Sequence, residues 1–166
     1  NAGGNLARGM ITRRQLDQID SELAGIENLE DYTIVVLLHH HVFKVSKSDF
    51  LKIRWREKSI FGSILDKSKA LVDANMFATW LQQRHIKYVL HGHKHVPYFM
   101  NKNGTYYISA GSATGGLKES ESHYYSYNVL RYDYMDKKMK TCLIFYDDNK
   151  KAERKRVEVY LMEEDK

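Results

Sequence analysis

Two apolar runs without polar alternation stand out along the chain and predict strands of a sheet that is covered on both faces. Residues 33–38 form the first run and residues 86–90 the second. Between them, at about residues 68–83, Val72, Met76 and Trp80 recur at helical spacing, with Phe77 and Leu81 beside them. A strand, a helix and a second strand in this order predict a βαβ unit with parallel strands.

A further helix and a set of antiparallel strands complete the predicted elements. Thr12 and Gln15 have the spacing of a capping box, and leucine and isoleucine then recur at helical intervals, which predicts a helix over residues 12–23. Near the other end, a short strand is expected at residues 105–109. Alternating segments at residues 124–134, 141–146 and 156–162 then predict an antiparallel meander. The predicted fold class is α/β with a mixed sheet.

Length and composition favour one globular domain over residues 1–166. The chain is 43% hydrophobic and 28% charged, which supports a core and argues against disorder. The longest apolar run falls far short of the roughly 20 residues that cross a bilayer, so no membrane partner is expected. A lone cysteine, Cys142, cannot form an intramolecular disulfide, which predicts a reducing, cytoplasmic location. The net charge of +5 favours anionic partners weakly and leaves nucleic-acid binding open.

A basic segment lies between the two predicted parallel strands, within residues 42–67. Lysines and arginines from Lys44 to Lys58 alternate there with phenylalanine and tryptophan. One interpretation is a surface element that docks its apolar side on the sheet, and another is a basic lid over an anionic substrate. We favour the first interpretation, because runs of charge usually form solvated surfaces.

Six of the eight histidines follow the two predicted parallel strands directly: His39, His40 and His41, and then His91, His93 and His95. Ligands of open α/β sheets bind beyond the carboxyl ends of the strands, and two strands joined by one crossover end at the same edge. Neutral imidazole is a good ligand for zinc, iron, nickel and copper. The pattern therefore predicts a metal site. The structural alternative is that some of these histidines only cap strand ends through hydrogen bonds.

The two histidine blocks carry a resemblance to a known family. Residues 34–41, Ile-Val-Val-Leu-Leu-His-His-His, and residues 89–95, Val-Leu-His-Gly-His-Lys-His, resemble the calcineurin-like metallophosphoesterases. The resemblance implies a four-layer α/β/β/α sandwich that hydrolyses phosphoesters at two carboxylate-bridged metal ions, commonly Mn, Fe or Zn. It also implies that His39 and His93 bind one metal and His95 the other. His40 and His41 have no such assignment.

Other blocks of that family have no counterpart here. Asp-x-His, Gly-Asp and Gly-Asn-His do not occur in the sequence, and Gly4-Asn5 is followed by Leu6. The chain thus resembles the C-terminal half of a metallophosphoesterase, without a bridging carboxylate or an assignable catalytic residue. We expect partial or no metal occupancy and weak or no activity for this chain alone. The expected partners are a phosphorylated substrate and either the N-terminal half of the fold or a second copy.

Two alternatives to a phosphoesterase remain open. The first is a non-catalytic remnant or binding module of the same fold, which the missing blocks favour. The second is a mononuclear zinc hydrolase in which His39, His93 and His95 bind the ion and leave a fourth position open.

Overall fold

A computed structural model of the protein describes residues 9–43, 71–93, 97–111, 117–119, 122–147 and 152–160. The basic segment from Lys44 to Lys58 lies outside the described residues, and so does His95. The expectations for a basic lid and for a metal ligand at His95 therefore stay predictions.

The described residues form two α-helices, one short 3-10 helix and eight strands. The helices are α1 (Arg13–Ala24) and α2 (Ala74–Gln83), and the 3-10 helix covers Leu29–Asp31. The strands are β1 (Val35–Leu38), β2 (Tyr88–His91), β3 (Tyr98–Lys102), β4 (Thr105–Ser109), β5 (Leu117–Glu119), β6 (Ser122–Asp133), β7 (Lys138–Asp147) and β8 (Ala152–Tyr160). None of the helices in this part of the chain is long and apolar enough to span a bilayer.

The strands form two four-stranded sheets. The first sheet has the order β1-β2-β4-β3, in which β2 pairs in parallel with β1 and β4, and β3 pairs antiparallel with β4. The second sheet, β5-β6-β7-β8, is antiparallel throughout. The predicted α/β class, the parallel pair of the βαβ unit and the antiparallel meander are therefore confirmed.

The two helices form where local sequence favours them. Thr12 caps α1, and the capping box with Gln15 is complete, with Thr12 N donating to Gln15 Oε1 at 2.8 Å. The predicted start of α2 is wrong, because its cap is Asp73 and the helix begins at Ala74. Val72 consequently lies outside the buried stripe and is 56% exposed.

Two hydrophobic cores place the helices and sheets in layers. Leu16 of α1 and the buried Phe77, Trp80 and Leu81 of α2 pack with one face of the first sheet, which includes Val89. The opposite face, including Tyr88, packs against Met139 and Leu143 of the second sheet. Because neighbouring residues of a strand point to opposite faces, Tyr88 and Val89 reach different cores. The order of layers is helices, first sheet, second sheet.

β1 differs from its prediction as a strand covered on both faces. It is the terminal strand of the first sheet as described, and Val35 and Leu37 are 36% and 74% exposed. Val35 is in register with Tyr88 and shares its face. The core on that face, however, is formed by residues of β2, β3, β4 and the second sheet, which leaves β1 beyond its rim.

The strands β3 and β5 were not predicted from the sequence. β3 and β4 form a hairpin around Asn103 and Gly104, whose φ angles are 53° and 79°. Two successive residues with positive φ are typical of a type I′ turn, for which Asn-Gly is the preferred sequence. The Asn-Gly pair between two apolar runs therefore was the local indication of this hairpin.

Candidate metal site

Strands β1 and β2 end side by side, and this brings the two histidine blocks to one edge of the first sheet. Leu38 is in register with His91, so the residues that follow each strand are neighbours. Gly92 N donates to the carbonyl oxygen of His39 at 3.1 Å, which ties the two loops together. Of the three histidines expected at this strand-end edge, His39 and His93 do meet there, and His95 lies outside the described residues.

His39 and His93 are in direct contact through their ring nitrogens. His93 Nδ1 lies 3.1 Å from His39 Nε2, and the ring centroids are 5.1 Å apart. His93 has a φ of 73°, a conformation that costs energy in a residue with a β-carbon and is concentrated at functional sites. The loop after β2 therefore holds this imidazole against His39 at the expense of backbone strain.

The 3.1 Å separation suits two chemical states. If one nitrogen carries the proton, the pair makes a hydrogen bond, and the tautomers decide which ring donates. If both are unprotonated, they can share a cation. Two nitrogens bound to tetrahedral zinc at about 2.0–2.1 Å are about 3.3 Å apart, so the distance already matches, and the rings would have to turn until both lone pairs point to the ion.

Two further histidines lie close to this pair, and no role was predicted for either of them from the sequence. The ring of His40 lies 4.4 Å from that of His93 and 5.0 Å from that of His39, between centroids. The buried His41 stacks on His93 at 6.1 Å. We call His39, His40, His41 and His93 the histidine cluster. Its compactness could not be read from spacing, because three consecutive residues of one strand end do not normally face a common point.

Two backbone hydrogen bonds join the segment that carries His39, His40 and His41, residues 9–43, to the second described segment, residues 71–93. Leu71 N donates to the His41 carbonyl at 3.1 Å, and Val72 N donates to the Gly9 carbonyl at 3.0 Å. Residues that precede α1 and α2 thus meet beside the histidines. These bonds fix the backbone from which the side chains of the cluster project.

His91 has a different environment from the rest of its sequence block. It is only 4% exposed, and its ring packs against Tyr98 at a centroid distance of 5.2 Å. Burial lowers the pKa of His91 to about 4, and a smaller effect of the Gly92 backbone acts in the opposite direction. His91 is therefore neutral at pH 7 and belongs to the core.

The imidazole nitrogens of the histidine cluster have suitable chemistry for a metal ion, but the two that can reach one ion are too few for a complete site. Imidazole nitrogens suit zinc, copper and nickel, and His39 and His93 present two of them within reach of one ion. A zinc site needs three or four protein ligands. Among the residues that the structure describes, no group of three His, Cys, Asp or Glu side chains is arranged to hold an ion. A complete site needs donors in addition to these two.

Comparisons with known proteins add weak similarities to solved structures. No family model and no curated protein matches the chain. Wild-type Vps29 from Entamoeba histolytica, crystallised with zinc, is 20% identical over 53% of this chain and 48% of its own, with a TM-score of 0.35. Vacuolar protein sorting 29 from Cryptosporidium parvum is 19% identical over 54% of this chain and 46% of its own, with a TM-score of 0.34.

A double mutant of the Entamoeba protein is matched over more of the chain. It is 17% identical over 81% of this chain and 64% of its own, with a TM-score of 0.37. The chain spans about half the length of the first two Vps29 chains. Similarity this low assigns neither a family nor a function, so the metallophosphoesterase resemblance continues to rest on the two histidine blocks.

Proposed function

We propose that this chain is a metal-binding module of metallophosphoesterase type that turns over no phosphoester by itself. His39 and His93 bind a divalent transition-metal ion, with His95 as a further donor. The observation that carries the proposal is the 3.1 Å contact between His39 Nε2 and His93 Nδ1 at the ends of adjacent parallel strands. The resemblance of both histidine blocks to the metallophosphoesterases supports the same assignment.

The chain's own residues supply lone pairs and orientation in this proposal. His39 Nε2 and His93 Nδ1 must both be unprotonated to bind an ion, so each ring carries its proton on the other nitrogen. A bound ion of this class supplies Lewis acidity. The exposed position of His39 leaves the pair accessible from solvent.

The chemistry of a dinuclear phosphoesterase needs more than imidazoles. A bridging carboxylate holds two metal ions at the separation that clamps a phosphoryl group. The Asp-x-His, Gly-Asp and Gly-Asn-His blocks that provide such ligands in the family do not occur in this sequence. A metal-binding role without turnover is therefore the function that these residues support best. A cytoplasmic location, expected from the lone cysteine, belongs to the same proposal.

A second candidate is a phosphoesterase that is completed by a carboxylate-bearing half of the fold. The exposed β1 favours this candidate, because Val35 and Leu37 leave an apolar strand uncovered beside His39. A cavity of about 460 Å³ borders the same strand, with Val35, Thr33 and Tyr132 in its wall. An added half that covers β1 would bring its carboxylates to the edge where the histidines lie, whether it is part of the same protein or of a partner.

Zinc and manganese titrations of the purified chain test the proposal. H39A and H93A are each expected to weaken zinc binding by at least about tenfold. The matched control is H85N, which replaces an exposed histidine of positive φ at the end of α2 with a residue that accepts that conformation. Zinc affinity that is unchanged in both H39A and H93A would contradict the metal site. Robust metal-dependent hydrolysis of an aryl phosphate by the chain alone would contradict the non-catalytic role.

A further inference from the structure

Gly9 makes an unusually close approach to the histidine cluster. An ideal β-carbon at this position would lie 2.6 Å from His40 Cγ and 2.7 Å from His40 Nδ1. Real β-carbons essentially never come so near, so any other residue at position 9 would push the ring of His40 away. The Gly9 backbone cannot easily yield instead, because its carbonyl accepts a hydrogen bond from Val72 N at 3.0 Å.

The ring of His40 also lies close to the ring of His93. The two ring centroids are 4.4 Å apart and the ring planes are inclined by 32°. His40 also contacts His39 edge to face, with centroids 5.0 Å apart and an interplanar angle of 85°. The ring of His40 is therefore close to the Gly9 backbone and also to both histidines that meet through their nitrogens.

We propose that Gly9 and His40 are positioning residues for His93. The absence of a side chain at Gly9 lets the His40 ring lie against His93, and this contact sets the plane in which His93 Nδ1 faces His39 Nε2. His40 acts through packing and does not bind the ion, in agreement with the lack of a three-ligand group among the described side chains. Only the consequence for metal affinity rests on the proposed function, whereas the positioning itself is a property of the metal-free chain.

Groups that orient a metal ligand without touching the metal change affinity by about 10- to 100-fold when they are removed. Gly9 acts on the ligand through the ring of His40, so most of its effect should be lost when that ring is absent, although the β-carbon of residue 40 stays 3.0 Å from the added carbon. This dependence separates positioning from general stabilisation, which would persist in either background. It also provides a test in which each variant has a matched partner.

The experiment compares G9A, H40A, the G9A/H40A double variant and H40F with the parent chain, with G25A as a control. Gly25 caps α1, and a β-carbon there would come no nearer than 3.4 Å to the Glu22 carbonyl. Ring resonances of His93 are recorded without metal in protein with ¹⁵N-labelled histidine. Zinc affinity is then measured by competition with a chromophoric chelator, and circular dichroism verifies that each variant is folded.

We expect G9A and H40A each to move the His93 ring resonances and to weaken zinc binding about tenfold. The double variant should bind zinc nearly as H40A does, because without the ring the added methyl group meets only the β-carbon of residue 40, at 3.0 Å, and no longer the two ring atoms. H40F should stay within about threefold of the parent chain, since it keeps a stacking ring without nitrogens. G25A should match the parent chain in both measurements.

Three results would overturn the proposal. If G9A lowers affinity equally in the parent and H40A backgrounds, Gly9 does not act through His40. If H40F loses as much affinity as H40A, His40 is a ligand and not a positioning residue. Unchanged His93 resonances in H40A would show that the contact with His40 does not orient the His93 ring. The same measurement tests the proposal if G9A does not fold. If the parent chain binds no zinc, the proposed function fails while the resonances still test the positioning.

Discussion

β1 and β2 are neighbouring strands that run in the same direction and both lead into histidines, yet their surroundings are opposite. Three of the four residues of β2 are buried, whereas β1 alternates between exposed and half-buried positions. Tyr88 is 2% exposed and its register partner Val35 is 36% exposed. The contact between His39 and His93 therefore joins a buried strand of the sheet to an exposed one.

This difference in burial explains how the histidines at one edge of the sheet can be both well positioned and accessible to solvent. β2 is fixed by cores on both faces, so the loop after it can hold His93 in a costly backbone conformation. β1 leaves His39 accessible to solvent and to any element that packs on the exposed face of β1. In a binding site at this boundary, β2 fixes the position of the ligands and β1 leaves them accessible to solvent. The predictions below separate these two contributions.

The largest expected effect is the loss of the core that surrounds β2. Y88A removes a buried ring that packs between the sheets and a hydroxyl that accepts a hydrogen bond from Met139 N at 3.1 Å. We expect the free energy of unfolding to fall by about 3–5 kcal/mol. L37A, on exposed β1, should change it by less than about 0.5 kcal/mol. Denaturant unfolding measures both, and equal losses would show that β1 is as closed as β2.

A smaller effect is expected from pH, through His91 at the end of β2. Burial lowers the pKa of His91 to about 4 in the folded chain, while the unfolded chain keeps the ordinary value of 6.5. The unfolded state therefore takes up the proton first, so stability is fully present above pH 6.5 and declines as the pH falls toward 4. The decline from this group amounts to about 3 kcal/mol.

Denaturant unfolding between pH 4 and pH 7.5, with a chelator present to remove metal ions, checks this dependence. H91Q has no titratable ring, so its stability should fall less steeply over the same range even if its stability at pH 7 is lower. A slope for H91Q equal to that of the parent chain would show that His91 does not have the low pKa expected from its burial.

The smallest expected effect concerns association through β1. An uncovered apolar strand at a sheet edge favours pairing with another chain, and a lysine on such a strand opposes it. L37K should therefore reduce self-association of the chain in sedimentation at high concentration. M135K is the matched control, because Met135 is 93% exposed but lies in the turn between β6 and β7. A parent chain that stays monomeric at all concentrations would contradict this role of β1.

Sequence alone predicted the elements whose cause is local or topological. The capping box of Thr12 and Gln15 fixes α1 within neighbouring residues. The meeting of His39 and His93 follows from parallel strands that end at one edge. Both depend on short-range chemistry or on connectivity, and these are visible in a single sequence.

Other features depend on what lies nearby in space and could not be predicted in the same way. The apolar run of β1 resembles that of a covered strand, and only the positions of neighbouring layers show that Leu37 is exposed. The contact of Gly9 with His40 joins two separate segments without any periodic pattern. The burial of His91 likewise involves a distant residue, because Tyr98 on another strand packs against its ring.

The most direct test of the central claim is to follow the ring nitrogens of His39 and His93 by NMR while zinc is added to the chain. If the two imidazoles bind one ion, His39 Nε2 and His93 Nδ1 should lose their free resonances together, in one saturating step. The exposed His85 should remain unchanged through the same titration. A response of only one of the two nitrogens, or of neither, would contradict a shared metal at this edge of the sheet.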